Sequence, residues 1–178
     1  MLSIEVSYNE VRNALQALAN KARDLSPVLR IIGEGVADRT QQRFGTSTGP
    51  DGQRWVGNSD AVLRQLLLSK KGSFTKKGGL SKAGTKTLAG KKPLVATGEL
   101  AHSIRYQVSG NSVEIGTNRF ADTILNGAAI HQFGGMAGKG RSVRIPARPF
   151  LPLTQDGQLY PGEQAAVLEA IHDYLAGQ

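Results

Sequence analysis

The chain has 178 residues, with 22 Lys or Arg, 14 Asp or Glu, and no cysteine. This length suits one domain with a real hydrophobic core, and the lack of cysteine excludes a disulfide scaffold, a thiolate zinc site and a cysteine nucleophile. No apolar run is long enough for a membrane-spanning helix, and the first residues lack the basic flank and apolar run of a signal peptide.

The N-terminal quarter is predicted to be mainly helical. Residues 2–6 alternate apolar and polar side chains, which predicts a short half-buried strand. From Val11 to Phe44, apolar residues recur at steps of three and four, the stripe of an amphipathic helix. Ser26 and Pro27 interrupt the stripe, and because they favour the N-cap and the first helical position, we predict a second helix or a kinked continuation from there.

The middle of the chain combines a loop, a short helix and a hairpin. Residues 45–58 are dense in turn formers and predict a loop, in which we expect Trp55 to pack against the helical stripe. Residues 61–68 predict a short helix. Alternating runs at 104–108 and 113–115, joined by Ser-Gly-Asn-Ser, predict a β-hairpin.

The last third is predicted to contain a strand or short helix, an extended segment and a C-terminal helix. Residues 128–133 predict a strand or a short helix, followed by a loop over 134–140. Another extended piece begins at Val143. Three closely spaced prolines then exclude a helix and a central strand: Pro146, Pro149 and Pro152. A helix begins at Pro161. The sequence therefore predicts an α+β fold with long N-terminal helices, an antiparallel β-sheet with a β-hairpin, and a C-terminal helix.

One segment makes the chain basic. No acidic residue lies between Asp60 and Glu99, whereas Arg64 and eight lysines do. The eight lysines are Lys70, Lys71, Lys76, Lys77, Lys82, Lys86, Lys91 and Lys92. The other 13 basic residues face 14 acidic ones, so the rest of the chain is almost neutral.

We call residues 69–92 the lysine segment. Gly, Ser, Thr and Lys dominate it, and its apolar residues are too sparse to bury. This composition predicts a flexible insertion in a single domain of residues 1–178, either a mobile loop or an arm that orders on a partner. Its lysines suit phosphate groups or an acidic protein surface. The alternative is a solvated loop that its lysines keep soluble.

The sequence predicts no catalytic, metal or cofactor site. Its histidines lie in three different elements, without the spacing of a metal site: His102, His131 and His172. No pair of nearby carboxylates suggests a hydrolase. Residues 135–142 come within one residue of a phosphate-binding loop, but Arg141 replaces the lysine. The proline-rich continuation cannot supply the helix such a loop requires.

Three pieces of sequence, in a fixed order, resemble a known family. Residues 49–55 read Gly-Pro-Asp-Gly-Gln-Arg-Trp, and residues 94–104 read Leu-Val-Ala-Thr-Gly-Glu-Leu-Ala-His-Ser-Ile. The third piece combines Ile-His-Gln-Phe-Gly-Gly at 130–135 with Ile-Pro-Ala-Arg-Pro-Phe-Leu at 145–151. Together they resemble the phage virion morphogenesis family, the tail-completion proteins of Mu-like and P2-like tailed phages. Residues 118–129 depart from the family in being longer than its usual link.

The resemblance implies a structural virion protein without enzymatic activity. Such a protein sits at the head–tail junction of the virion, after assembly in the host cytoplasm, and joins the tail to the DNA-filled head. It implies a homo-oligomeric ring, expected to be hexameric, that contacts the connector or neck and the tail terminator or tail tube. The lysine segment would then face packaged DNA non-specifically or reach an acidic neighbour.

Individual residues gain expected roles from this resemblance. The interface candidates, within the subunit or across the ring, are Arg144, Arg148, Phe150 and Leu151. For Phe150, a purely intramolecular core contact is the alternative. The residues expected to structure loops are Trp55, His131 and Gln132.

Three other functions are left open by the sequence. The first is a nucleic-acid-binding protein without sequence specificity, acting through the lysine segment. The second is a capsid-assembly factor. The third is a hydrolase that uses His131 or His102 with a distant carboxylate.

Overall fold

The computed structural model describes residues 8–118 and 127–177 and has the predicted α+β fold. The helices are α1 (Tyr8–Arg23), α2 (Ser26–Thr46), α3 (Asp60–Ser69), α4 (Lys82–Ala89), α5 (Glu99–His102), α6 (Gly127–Phe133) and α7 (Pro161–Ala176). The strands are β1 (Arg105–Ser109), β2 (Ser112–Gly116), β3 (Gly135–Ala137) and β4 (Val143–Ile145). The predicted strand at 2–6 and most of the long link at 118–129 lie outside the described residues. Within the described ranges, no helix has the length and hydropathy to cross a membrane.

Helix α2 is the centre of the fold. It begins with Pro27 in its first turn, and it ends where Ser47 adopts a left-handed conformation and donates its N–H to the carbonyl of Arg43. Its buried face contributes residues to two hydrophobic clusters. Towards the N-terminus, three of its residues pack with α7: Val28, Ile32 and Val36. Towards the C-terminus, Ala37 and Phe44 pack with the loops and with α5.

The predicted hairpin is confirmed and packs on α2. Strands β1 and β2 pair antiparallel, with Tyr106 opposite Ile115 and Val108 opposite Val113. The hairpin comes so close to α2 that a Cβ at Gly33 would overlap the Tyr106 ring. Glycine at this position therefore permits the contact between helix and ribbon.

A second ribbon lies where the sequence predicted a loop. Strand β3 falls inside residues 134–140 and pairs antiparallel with β4, so that Met136 stands opposite Arg144. The two ribbons are separate two-stranded sheets. The prediction of a continuous loop here was wrong, because strands of three residues rich in glycine carry no alternation to detect. Residues 127–133 form a helix rather than a strand.

Helix α7 is held on α2 by apolar packing and by a buried acid. Val167, Ile171 and Tyr174 pack against the N-terminal cluster of α2. At the other end of α7, Glu163 is buried and forms ion pairs with Arg39 and Arg43. Removing one partner of such a buried network leaves charge without compensation, so these contacts fix α7 in place.

Helix α1 extends the predicted stripe but buries none of it. Val11, Leu15 and Leu18 are 49%, 62% and 43% exposed. At its C-terminal end, the Lys21 ammonium donates to the carbonyl of Tyr174 on α7 at 2.9 Å. The periodicity predicted the helix correctly, but among the described residues only the second half of the stripe, on α2, meets a covering surface.

Candidate functional site

The three motifs meet around one short stretch, residues 148–151, which we call the motif hub. The hub lies beside the C-terminal half of α2. Residues from the first motif, from the His-Gln pair and from α2 itself all form hydrogen bonds to its backbone. Irregular backbone of this kind leaves polar groups that require partners.

Gln132 satisfies four backbone groups of the hub and its continuation. It lies on α6 and is 3% exposed. Its side-chain oxygen accepts from the amides of Phe150 and Leu151, both at 2.9 Å. Its Nε2 donates to the carbonyls of Leu151 and Leu153, both at 3.0 Å. The prolines of this segment have no backbone N–H, so the segment cannot form the hydrogen-bond ladder of a regular β-strand. The buried side-chain amide of Gln132 supplies hydrogen bonds in place of those that a neighbouring strand would make.

Arg148 points into its own chain. It is 7% exposed, and its guanidinium donates to the carbonyls of Val56 and Gly57, both at 2.7 Å. Burial lowers the pKa of Arg148 from its ordinary value, but a guanidinium remains charged in proteins. The side chain therefore fastens the loop after Trp55 to the hub through charge-assisted hydrogen bonds.

An aromatic cluster completes the hub. Phe150 is fully buried, and its ring centroid lies 5.4 Å from that of Phe44. Trp55 meets Phe44 edge to face, with a centroid separation of 5.5 Å. The Trp55 indole N–H donates to the carbonyl of Pro149 at 3.0 Å. The expectation that Trp55 packs against the α2 stripe is confirmed.

Two residues that the sequence analysis did not single out also hold the hub. Arg43 donates to the carbonyl of Phe150 at 3.0 Å and forms an ion pair of 2.8 Å with Glu163. Glu163 stands 120 residues away along the chain. No local sequence pattern predicts that Arg43 and Glu163 form a pair. The sequence does show that Glu163 is an acidic residue in the first turn of a predicted helix.

A cleft of about 680 Å³ opens beside the hub, and we call it the β4 cleft. Its apolar walls come from three elements, the loop before α3, the loop before α5 and strand β4. Examples are Val56, Val95, Val143 and Ile145. His131 also lines it, and its Nδ1 is buried without a hydrogen-bond partner among the described residues.

The described part of the chain shows no cluster of metal-binding side chains. Within residues 8–118 and 127–177, no three His, Asp or Glu side chains are close enough to hold a metal ion. Gln132 and Arg148 are bonded to backbone of their own chain. What these residues do chemically is hold a fixed shape around the hub.

Comparison of the chain with known proteins identifies its family. The profile of the phage virion morphogenesis family matches residues 6–175. The chain belongs to this family. A Mu-like prophage protein of Haemophilus influenzae, named FluMu G protein 2, is 32% identical over 176 residues, which cover 98% of this chain and 96% of that protein. No solved structure matches the chain.

The family's other motif residues fall into buried and exposed sets. Leu100 and Ile104, from the second motif, are buried in the same cluster as Phe150. Of the interface candidates, Arg148 and Phe150 are buried within the subunit, Leu151 is half-buried, and Arg144 is exposed on β4. Contacts of these residues across subunits stay a prediction.

The lysine segment has more regular structure than its composition predicted. Ser81 caps α4 by accepting from the amide of Gly84 at 3.0 Å, and Gly84 packs directly on the backbone of Ser73. Lys91 and Lys92 donate to carbonyls of the chain itself. The six other lysines are exposed and form no ion pair with a described residue: Lys70, Lys71, Lys76, Lys77, Lys82 and Lys86. Whether the segment is mobile stays a prediction.

His131 is expected to make the stability of the subunit depend on pH. Burial, and secondarily the charge of Arg148, holds the pKa of His131 below its ordinary value of about 6.5. Below that pH the unfolded chain binds a proton that the folded chain does not, so stability is lost as pH falls. We expect His131→Gln to weaken this loss between pH 7 and 5.5, as measured by urea unfolding at each pH.

The matched control for this measurement is His172→Gln. His172 is exposed on α7, with 80% of its side chain accessible. This variant is expected to keep the pH dependence of the native chain. Equal pH dependence in the native chain and His131→Gln would contradict the assignment to His131.

Proposed function

We propose that this chain is a structural protein of the head–tail junction of a tailed phage. In this proposal the subunits form a ring, expected to be hexameric, which joins the tail to the DNA-filled head without catalysing a reaction. Its neighbours are the connector or neck on one side and the tail terminator or tail tube on the other. Membership of the virion morphogenesis family over nearly the whole chain is the observation that carries the proposal.

The motif hub supports a structural role. The residues that the resemblance highlights are used to fix loops against α2, through Gln132, Arg148 and Trp55. A subunit that must present the same surfaces to several neighbours needs rigid loops, because each flexible loop would lose conformational entropy on assembly.

The lysine segment supplies the basic surface that a junction next to packaged DNA needs. Six exposed lysines that form no ion pair with a described residue offer phosphate contacts that carry no base specificity. We propose that these lysines contact DNA at the head exit, weakly and regardless of sequence.

This proposal predicts a steep salt dependence for DNA binding. If six phosphate contacts form, affinity of the isolated protein for duplex DNA is expected to fall about a thousandfold between 50 and 200 mM salt, as measured by fluorescence anisotropy. Replacing the six exposed lysines by Gln should abolish binding. Replacing the same six by Arg preserves charge and should keep it. A flat response to salt would contradict DNA contact.

The same two variants test the role in the virion. Particles assembled with the six Gln substitutions, imaged by electron microscopy, are expected to show filled heads beside unattached tails, whereas the six Arg substitutions should give normal particles. Normal particles from the Gln variant would show that the six lysines are not needed to join heads to tails. Empty or misshapen heads would argue against head–tail joining and favour the capsid-assembly alternative.

A further inference from the structure

Strand β4 lies along one wall of the β4 cleft, and one of its two edges has no partner strand among the described residues. Among the described residues, β4 pairs with β3 and with no other strand. Val143, Arg144 and Ile145 line the cleft. An exposed strand edge beside an apolar floor is the arrangement that accepts an added strand from another chain.

The N-terminal arm of the chain has the chemistry to fill this cleft. We define the arm as residues 1–7 together with α1, whose residues 8–20 are all exposed. Residues 1–7 lie outside the described residues, but their sequence alternates, with apolar side chains at Leu2, Ile4 and Val6. Such alternation suits a strand that buries one face.

The arm tip is acidic, and the cleft carries more basic than acidic side chains. The tip of the arm carries Glu5 and Glu10 and has no basic side chain before Arg12. Residues 134–148, which include β3 and β4, carry four basic side chains and no acidic one. Arg148 is bonded to its own chain, but Arg144 is exposed at the cleft and forms no ion pair with a described residue. The cleft lining carries Lys91, Arg144 and Arg148 against the acidic side chain of Glu99, and this excess of positive charge favours an acidic arm tip.

We propose that the β4 cleft of one subunit receives residues 2–6 of a second copy, which add a strand to the free edge of β4. The pattern of side chains matches on both faces. Val143 and Ile145 share one face of β4, and Arg144 lies on the other. In the added strand, Ile4 and Val6 would share one face and Glu5 would lie on the other. Apolar residues then meet apolar residues, and Glu5 meets Arg144.

The positions of arm and cleft favour a second copy over the same chain. The cleft lies near the C-terminal end of α2, where Trp55 packs on Phe44. The arm joins the N-terminal end of α2, which has 21 residues and spans about 31 Å. Lys21, at the C-terminal end of α1, contacts α7, whereas residues 8–20 are exposed. A contact from the arm of one subunit to the cleft of the next is head to tail, and repetition closes into a ring when the rotation allows.

The inference rests on the self-association included in the proposed function. Because the chain has no cysteine, single introduced cysteines report contacts cleanly. We would mix one protein carrying Leu2→Cys, Ile4→Cys or Val6→Cys with another carrying Val143→Cys and then oxidise. A disulfide-linked dimer of the two different variants is expected for at least one arm position, whereas a control pair with Glu169→Cys, exposed on α7, should give none.

Two further substitutions measure how much the contact contributes. Ile4→Asp should weaken subunit association about a hundredfold, measured by sedimentation equilibrium, because it places a charge on the apolar face. Ser3→Asp adds the same charge on the opposite face and should leave association intact. Glu5→Arg and Arg144→Glu should each weaken association by about threefold, and combining them should restore it. Circular dichroism melts of the arm variants are expected to match the native chain, which shows that each variant still folds.

The outcomes separate this inference from the proposed function. Oligomers that Ile4→Asp leaves unchanged, a monomer at all concentrations, or no disulfide between any arm variant and Val143→Cys would each overturn the arm contact. Phage that lack this protein but still join filled heads to tails would overturn the junction role, whatever the crosslinks show.

Discussion

Phe150→Ala is expected to lower the free energy of unfolding by about 3–5 kcal/mol. Phe150 is 0% exposed and packs between α2 and the loop that carries Trp55, so truncation opens a cavity in the cluster to which all three motifs contribute. Urea unfolding followed by circular dichroism and by the fluorescence of Trp55, the single tryptophan, measures the loss.

A matched control for this substitution is Phe133→Ala. Phe133 ends α6 and is 38% exposed, so the same change in side chain removes far less buried area. We expect a loss below about 1 kcal/mol. Similar losses for the two variants would show that the core does not depend on Phe150.

Gln132→Leu is expected to cost about 3 kcal/mol or more, although Leu is apolar and of similar size. The substitution removes the partners of two amides and two carbonyls near the motif hub, and water has little access to replace them. Hydrogen exchange should show faster exchange at the amides of Phe150 and Leu151, while amides in β1 keep their protection.

Gln164→Leu provides the comparison, because Gln164 is exposed on α7. Its effect on stability should stay within about 0.5 kcal/mol. Unchanged exchange at Phe150 and Leu151 in Gln132→Leu would mean that the hub does not need the glutamine.

Elements with a clear period were predictable from the sequence. The stripe of α2, the alternation of β1 and β2, and Pro161 at the start of α7 all match the structure. Strand β4 was predicted as an extended piece from Val143. Its partner β3 was not predictable, since a three-residue strand has no measurable period. The stripe of α1 shows a different limit. Periodicity identifies the apolar face of a helix but does not identify what covers it.

The hydrogen-bond partners of the site residues could not be predicted from the sequence. Trp55, His131 and Gln132 were expected to structure loops. Trp55 and Gln132 form hydrogen bonds to the backbone of residues 149–153, whereas Nδ1 of His131 has no partner among the described residues. The backbone partners of Arg148 could not be foreseen, because an arginine in a basic group suggests a surface role. The Arg43–Glu163 pair joins residues 120 positions apart, and no local pattern encodes such a contact.

The packing of α7 on α2 has a consequence for the timing of synthesis. Val28, Ile32 and Val36 are made early but are covered by a helix that begins at Pro161. A nascent chain therefore carries an exposed apolar stripe for most of its translation, and contacts of such sequence separation form slowly. The stripe can be fully buried only after α7 has been synthesised. Unfinished chains are consequently candidates for chaperone binding, and only full-length chains enter assembly with a closed core.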